Sequence, residues 1–198
     1  MATTLVDVDT GNEQTATDMQ AKEGLVFDGK HAWALNANEI IQNDVINGEI
    51  RRFTLTSPIG GNFKGLAFDG RRFWSIDDNG VTANLVAFDI SGNIVKSDKA
   101  PVGVGPITFM NNRLYVVEDQ FVGQYTLAGG AVRSKFWDSG STGIDGITND
   151  GKYVYVSHTS DRTIYKITTS GSIESRIVPG TSPVGDVTFT GRHLMVTV

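Results

Sequence analysis

The chain has no cysteine among its 198 residues. That excludes disulfides, thiolate metal sites and thiol catalysis, and it leaves the compartment open. Nowhere does the sequence hold the ~18 consecutive apolar residues that a membrane span needs. The opening Met1-Ala2-Thr3-Thr4 lacks a basic stretch followed by an apolar core. No secretory signal is read there, and the expected location is the cytoplasm or a virus particle. Positive charge is scarce too: 17 Lys and Arg stand against 22 Asp and Glu, for a net charge of −5. This balance argues against nucleic acid as the partner. Low-complexity segments and linkers are missing. With 39% apolar and 20% charged residues, the composition suits one soluble globular domain over residues 1–198.

What the chain does have is repetition. Gly24-Leu25-Val26-Phe27-Asp28-Gly29, with Trp33 after it, returns as Gly65-Leu66-Ala67-Phe68-Asp69-Gly70 with Trp74. More degraded copies begin at Pro106, Gly146 and Asp186, and the five starts are separated by 41, 41, 40 and 40 residues. A period near 40, built of short strands and Gly-containing turns, marks a β-propeller blade. The expected fold is therefore all-β: a five-bladed β-propeller with four-stranded blades of about 40 residues. Four blades are continuous, at about 24–64, 65–105, 106–145 and 146–185. The fifth copy stops after two strands, but Thr3–Asn12 reads like Asn84–Asn93. The last blade is thus expected to join 186–198 with 1–23, which pairs strand edges that would otherwise be exposed.

Asp28-Gly29, Asp69-Gly70, Asp150-Gly151 and Thr190-Gly191 read as hairpin turns between first and second strands, with Gly supplying positive φ. Gly11, Gly48, Gly92, Gly129-Gly130 and Gly171 mark the turns between third and fourth strands. Trp33, Trp74, Tyr115, Tyr155 and Met195 share one blade position and are expected to pack between blades. The apolar spacing of Asn38–Ile46 resembles a short helix, but the repeat register makes it a loop feeding a strand. Ser141-Thr142-Gly143 and the Gly103/Gly105 pair read as blade connections. Gly60-Gly61 lacks any phosphate-loop pattern.

Superposing the repeats places charge of opposite sign on two faces. Lys30, Arg71, Lys152 and Arg192 share a position on the turn face, with Asn112 and Arg113 in the third blade and His31, Arg72 and His193 nearby. Such a ring suits an anionic or acidic-protein docking surface, although residues after a tight turn are usually polar in any case. On the opposite face Asn36, Asp77, Glu118 and His158 end the second strands. Asp78, Asp119 and Asp161 follow, and Glu39, Asp44 and Asp145 are placed with them. These carboxylate, amide and imidazole groups are candidates to hold a divalent cation at the channel mouth. The plainer alternative is that each one fixes the neighbouring loop by hydrogen bonding. Ser157 and His158 are strand neighbours whose side chains point to opposite faces, so they form no dyad.

The Gly-Leu-x-Phe-Asp-Gly strings at 24–29 and 65–70, the aromatic Trp33 or Trp74 and Asp77 after Ile76 resemble the blades of the NHL, YVTN and gluconolactonase-like superfamily. Members commonly have six or seven blades, where this chain has room for five. The gluconolactonase-like enzymes hold a metal with Glu, Asn and Asp, and the resemblance carries that role to Asn36, Asp77 and Glu118. Three functions follow as expectations. The first is a non-enzymatic binding or structural module engaging protein partners, for instance as a decoration or vertex protein of a phage or virus particle. The second is a lectin-like propeller binding glycans between blades. The third is a metal-dependent lactonase-like hydrolase at the acidic mouth.

Overall fold

The first, second and fourth repeats begin with a hairpin whose turn is held by its own aspartate. The computed structural model describes residues 3–16, 19, 21–100, 105–128, 130–180 and 184–197. In it Gly29, Gly70, Gly151 and Gly191 have φ of 97°, 89°, 86° and 89°. One left-handed residue at the first turn position is the type II′ pattern. The third blade instead uses Asn111 (53°) and Asn112 (59°), both left-handed, which is type I′. Either turn matches the right-handed twist of the strands it joins.

The aspartate does more than start the turn. Asp28 Oδ1 accepts from the amides of Lys30 (2.8 Å) and His31 (2.7 Å), while Oδ2 accepts from the indole Nε1 of Trp33 at 2.6 Å. Asp69 does the same for Arg71, Arg72 and Trp74, and Asp150 for Lys152, Tyr153 and the Tyr155 hydroxyl. The repeated string from aspartate to aromatic is thus one hydrogen-bonded unit. Where Met110 replaces the aspartate, the Tyr115 hydroxyl takes its bond from Gln124 Nε2 at 2.7 Å.

Among the described residues, twenty strands make five antiparallel four-stranded sheets. Blade one comprises β3 (Gly24–Phe27), β4 (Ala32–Asn36), β5 (Glu39–Asp44) and β6 (Gly48–Thr54). Blade two holds β7 (Asn62–Phe68), β8 (Phe73–Asp78), β9 (Ala83–Phe88) and β10 (Ile94–Lys99). Blade three holds β11 (Ile107–Met110), β12 (Arg113–Glu118), β13 (Phe121–Tyr125) and β14 (Ala131–Asp138). Blade four holds β15 (Ile144–Asn149), β16 (Val154–His158), β17 (Thr163–Ile167) and β18 (Ile173–Ile177). Blade five runs β19 (Val187–Phe189), β20 (His193–Thr197), β1 (Thr3–Asp7) and β2 (Glu13–Thr15). Its seam is the β1–β20 ladder from Thr3↔Thr197 to Asp7↔His193, which is the composite closure expected from the repeats. Asn38–Ile46 differs from expectation. It is not only a feeding loop but contains strand β5, paired on both sides, because β4 and β6 supply its hydrogen bonds. Gly103 and Gly129 lie outside the described residues.

The inner strands β3, β7, β11, β15 and β19 contact one another around a closed ring. Here the first residue of the repeat acquires its meaning. A Cβ on Gly24 would sit 2.6 Å from the Leu66 amide, one on Gly65 2.8 Å from that of Ile107, and one on Gly146 2.7 Å from that of Val187. At these three places only a bare backbone fits against the next inner strand. In the fifth copy Asp186 occupies this place.

Five hydrophobic clusters fill the five blade interfaces. Each repeat aromatic enters the interface with the next blade: Trp33 meets Phe73 at 4.8 Å, and Tyr155 stacks on Phe189 at 6.1 Å. Trp33, Trp74, Tyr115, Tyr155 and Met195 are all buried, as the blade-packing expectation requires. Among the described residues no helix is long and apolar enough to cross a membrane.

Candidate functional site

Antiparallel blades put two kinds of ending on two faces. The turns between first and second strands, and between third and fourth, lie on one face. The second-to-third loops and the blade connections lie on the other, at the mouth of the channel.

On the turn face Lys30, Arg71, Lys152 and Arg192 are exposed and Arg113 is half-buried. They do not form an uninterrupted basic ring. Asp28 and Asp69 sit in the same turns, and both carboxyls are held below the usual range. Burial opposes ionisation at each, but the turn amides and the Trp33 or Trp74 indole outweigh it. Lys152 Nζ lies 4.7 Å over the Tyr153 ring, and Arg72 Nε is 3.5 Å from Asp69 Oδ2. Asp44 also belongs to this face, not to the mouth where the repeat alignment placed it. It ends β5, and its Oδ1 accepts from the amides of Ile46 (2.9 Å) and Asn47 (2.8 Å).

The residues ending the second strands do reach the mouth face, but most are engaged in holding loops. Asp77 is fully buried, and its two oxygens accept from the Ser57 hydroxyl at 2.8 and 2.7 Å. Glu118 accepts from the Tyr125 hydroxyl, whose ring passes over Gly123, where a Cβ would collide with it. Burial pushes the Glu118 carboxyl up, and the Tyr125 bond opposes that rise. Asp78 caps the Gly80 amide at 2.9 Å. Asn36 is half-buried, and Asp119 is exposed at a left-handed φ of 59°. His158 is 2% exposed. Its Nε2 lies 3.2 Å from Ser141 Oγ, and its Nδ1 lies 3.2 Å from Asp161 Oδ1. Among the described residues no group of three or more His, Asp or Glu is placed to hold a metal ion. With Asp77 and Glu118 committed to Ser57 and Tyr125, the donor set Asn36, Asp77 and Glu118 does not fit a divalent cation.

Charge converges at the channel itself. A cavity of about 250 Å³ opens between Lys22, Glu23, Lys64, Gly105, Ile144 and Asp145. Glu23, Lys64, Gly105 and Asp145 each precede the first residue of a repeat, so the blade register assembles them into one rim. Lys64 Nζ binds Glu23 Oε2 at 2.7 Å across blades one and two. Asp145 is exposed at the rim, but the neighbouring chain desolvates its carboxyl enough to push it up, with His158 opposing. Asp186, in the crowded axial place, is pushed up to about 8, first by burial and then by the charges of Asp145 and Glu23. Its Oδ1 accepts from the Val187 amide at 2.9 Å, and its Oδ2 is buried with no hydrogen-bond partner. Sequence reasoning found Asp145 but missed Glu23, Lys64 and Asp186. The signal was available, because the fifth repeat begins with Asp where three others begin with Gly.

A second groove, of about 410 Å³, separates blades five and one, lined by Leu5, Gln14, Thr15, Ala16, Val45 and Ile46. Among the described residues lining it there is no aromatic ring for a sugar face to stack on.

No family model matches the chain, and no curated protein matches it. Solved structures do match. Glutaminyl cyclase from Myxococcus xanthus superposes with a TM-score of 0.65 at 15% identity, over 88% of each chain. A chain of the nidogen–laminin complex gives 0.63 at 15% identity, over 99% of this chain and 84% of that one. Virginiamycin B lyase from Staphylococcus aureus gives 0.54 at 22% identity, over 99% and 70%. At such identities the likeness is one of fold. The neighbours are β-propeller proteins, and this chain is a five-bladed member of that architecture.

Proposed function

We propose that the chain is a binding module that docks a protein partner on its mouth face, with a basic side chain of the partner entering the cavity between Glu23, Lys64 and Asp145. One observation carries this reading: Asp186 keeps a buried carboxyl oxygen without a partner beside Asp145, an exposed side chain whose carboxyl is also pushed up. A buried polar atom left unpaired is unfavourable, and an arriving cation relieves it. Lys64 already answers Glu23, which leaves Asp145 as the receptor on the cavity rim, next to the buried Asp186 carboxyl. The turn face offers no such opening, since its aspartates are satisfied locally. A place in a larger assembly, such as a phage or virus particle, is the concrete form this docking takes. A chain of similar fold works in the nidogen–laminin complex. Glycan binding has less support, because the repeat aromatics are buried.

Cross-linking mass spectrometry on the protein isolated from its source tests the reading. Lys22 and Lys64 report on the mouth face, and Lys30 and Lys152 on the turn face. Cross-links from Lys22 or Lys64 to a co-purifying protein are expected. Links only from Lys30 and Lys152 would move the docking surface to the opposite face. A monomer without intermolecular links would remove protein docking altogether.

A further inference from the structure

Beside the channel mouth, blade four brings together three side chains that the docking reading does not use. Ser141 lies in the connection that enters β15 and is exposed. Its Oγ is 3.2 Å from His158 Nε2, at the end of β16. His158 Nδ1 is 3.2 Å from Asp161 Oδ1, in the loop that follows. Asp161 Oδ2 accepts in turn from the Tyr165 hydroxyl, and the Tyr165 ring meets the imidazole edge-on at 6.3 Å and 88°. We infer that Ser141, His158 and Asp161 form an acyl-transfer centre that hydrolyses small exposed esters.

The order of contacts is the one nucleophilic catalysis requires: hydroxyl to imidazole to carboxylate. A carboxylate facing Nδ1 favours the tautomer that carries its proton there, which leaves Nε2 free to accept from Ser141. The Nδ1 contact has ion-pair distance, but Nδ1 has no aligned hydrogen bond. Such contacts commonly tighten only when substrate binds. Nε2 also lies 3.3 Å from the Ser141 carbonyl oxygen, an acceptor for the proton once the imidazole is charged. The amides of Thr142 and Gly143, next after Ser141, donate to nothing among the described residues. They are the donors at hand for an oxyanion, as the amide following a nucleophilic serine is elsewhere.

The chemistry balances without a cofactor. Ser141 Oγ attacks the ester carbonyl, an O–C bond forms, and the hydroxyl proton passes to His158 Nε2. Collapse of the tetrahedral intermediate breaks the bond to the leaving oxygen, which takes that proton and departs as an alcohol. Water then attacks the acyl-serine and gives its proton to Nε2, releasing the acid and restoring the hydroxyl. Ser141 and His158 are the catalytic residues, and Asp161 is a positioning residue. Ser160 is not an alternative nucleophile in this arrangement, since its hydroxyl donates to the Thr142 carbonyl at 3.5 Å and not to the imidazole.

The test is covalent labelling with a fluorophosphonate, read by peptide mass spectrometry, together with hydrolysis of p-nitrophenyl acetate. One adduct per chain on Ser141 is expected, with a burst of nitrophenol of matching stoichiometry. Ser141→Ala sits at an exposed loop position, should fold as the parent does, and should lose both signals. Asp161→Asn should lower kcat at least about tenfold with KM within about twofold, the pattern of a lost orienting group. No adduct on the wild-type protein, an adduct confined to another residue, or equal turnover by Ser141→Ala would each overturn the inference. In those cases His158 only fastens the 139–143 loop. Neither result bears on the cross-linking test, since docking through Asp145 does not require Ser141.

Discussion

The two faces of the ring push several of their carboxyl groups in opposite directions. On the turn face, Asp7, Asp28, Asp44, Asp69 and Asp89 are all held below the ordinary carboxylate range. At Asp7, Asp44 and Asp89 hydrogen bonds from neighbouring turn residues are the main cause. At Asp28 and Asp69 the same kind of bond overcomes burial. On the mouth face Glu118, Asp145 and Asp186 are all pushed up, in each case first by burial. The difference separates stability from function. Turn-face carboxylates are stabilised by the fold. Glu118, Asp145 and Asp186 are held there at its expense; Glu118 is bonded to Tyr125, and the other two are as expected of groups kept for a ligand.

The same substitution on the two faces should give the largest contrast. Gly65→Ala places a Cβ 2.8 Å from the Ile107 amide at a φ of 66° and pushes two inner strands apart. A loss of about 3 kcal/mol or more is expected in urea unfolding, since neither backbone can yield without opening the ring. Gly70→Ala has a φ of 89° but meets nothing within 4 Å. Its loss should be about 1 kcal/mol, from the left-handed conformation alone. Equal losses would show that the axis is not crowded.

Next in size is Asp69→Ala, which removes the acceptor for two turn amides and the Trp74 indole. It should lower stability by about 2–3 kcal/mol, or roughly 4–12 °C in Tm. It should also weaken the response to acid. A carboxyl whose folded value is depressed contributes stability above its unfolded value, and that contribution is lost as pH falls through the folded value. The parent should therefore destabilise progressively below about pH 4, and Asp69→Ala should do so less. A variant curve parallel to the parent in acid would mean that the Asp69 carboxylate contributes nothing through its charge.

Much of this was legible in the repeats. A 40-residue period, Gly-marked turns and two matching half-blades sufficed for five blades and their composite closure, because strand pairing follows the local pattern. The turn-face aspartates were visible as turn residues, but their bonds to Trp33 and Trp74 depend on where an indole five residues later is packed. Asp77 and Glu118 were placed on the right face, yet their partners Ser57 and Tyr125 come from a loop and a neighbouring strand that no spacing rule connects. Ser141 and His158 are 17 residues apart and meet only through the path of the blade connection. Asp186 was readable as one of the two copies, with Pro106, that break the Gly rule at the axis, although its burial is a property of the closed ring.

The most direct measurement is the thermal stability of the parent and Asp186→Asn across pH. In the unfolded chain this carboxyl ionises near 3.8, whereas in the folded ring it keeps its proton to about 8. The unfolded state therefore binds fewer protons within that window, and folding should weaken as pH rises through it. Parent Tm should fall between those limits. Asp186→Asn, neutral throughout, should fall less and be the more stable protein at pH 8. Two parallel curves with the variant lower at every pH would contradict the account, because Asp186 would then be a satisfied structural group and the mouth face would hold no poised charge.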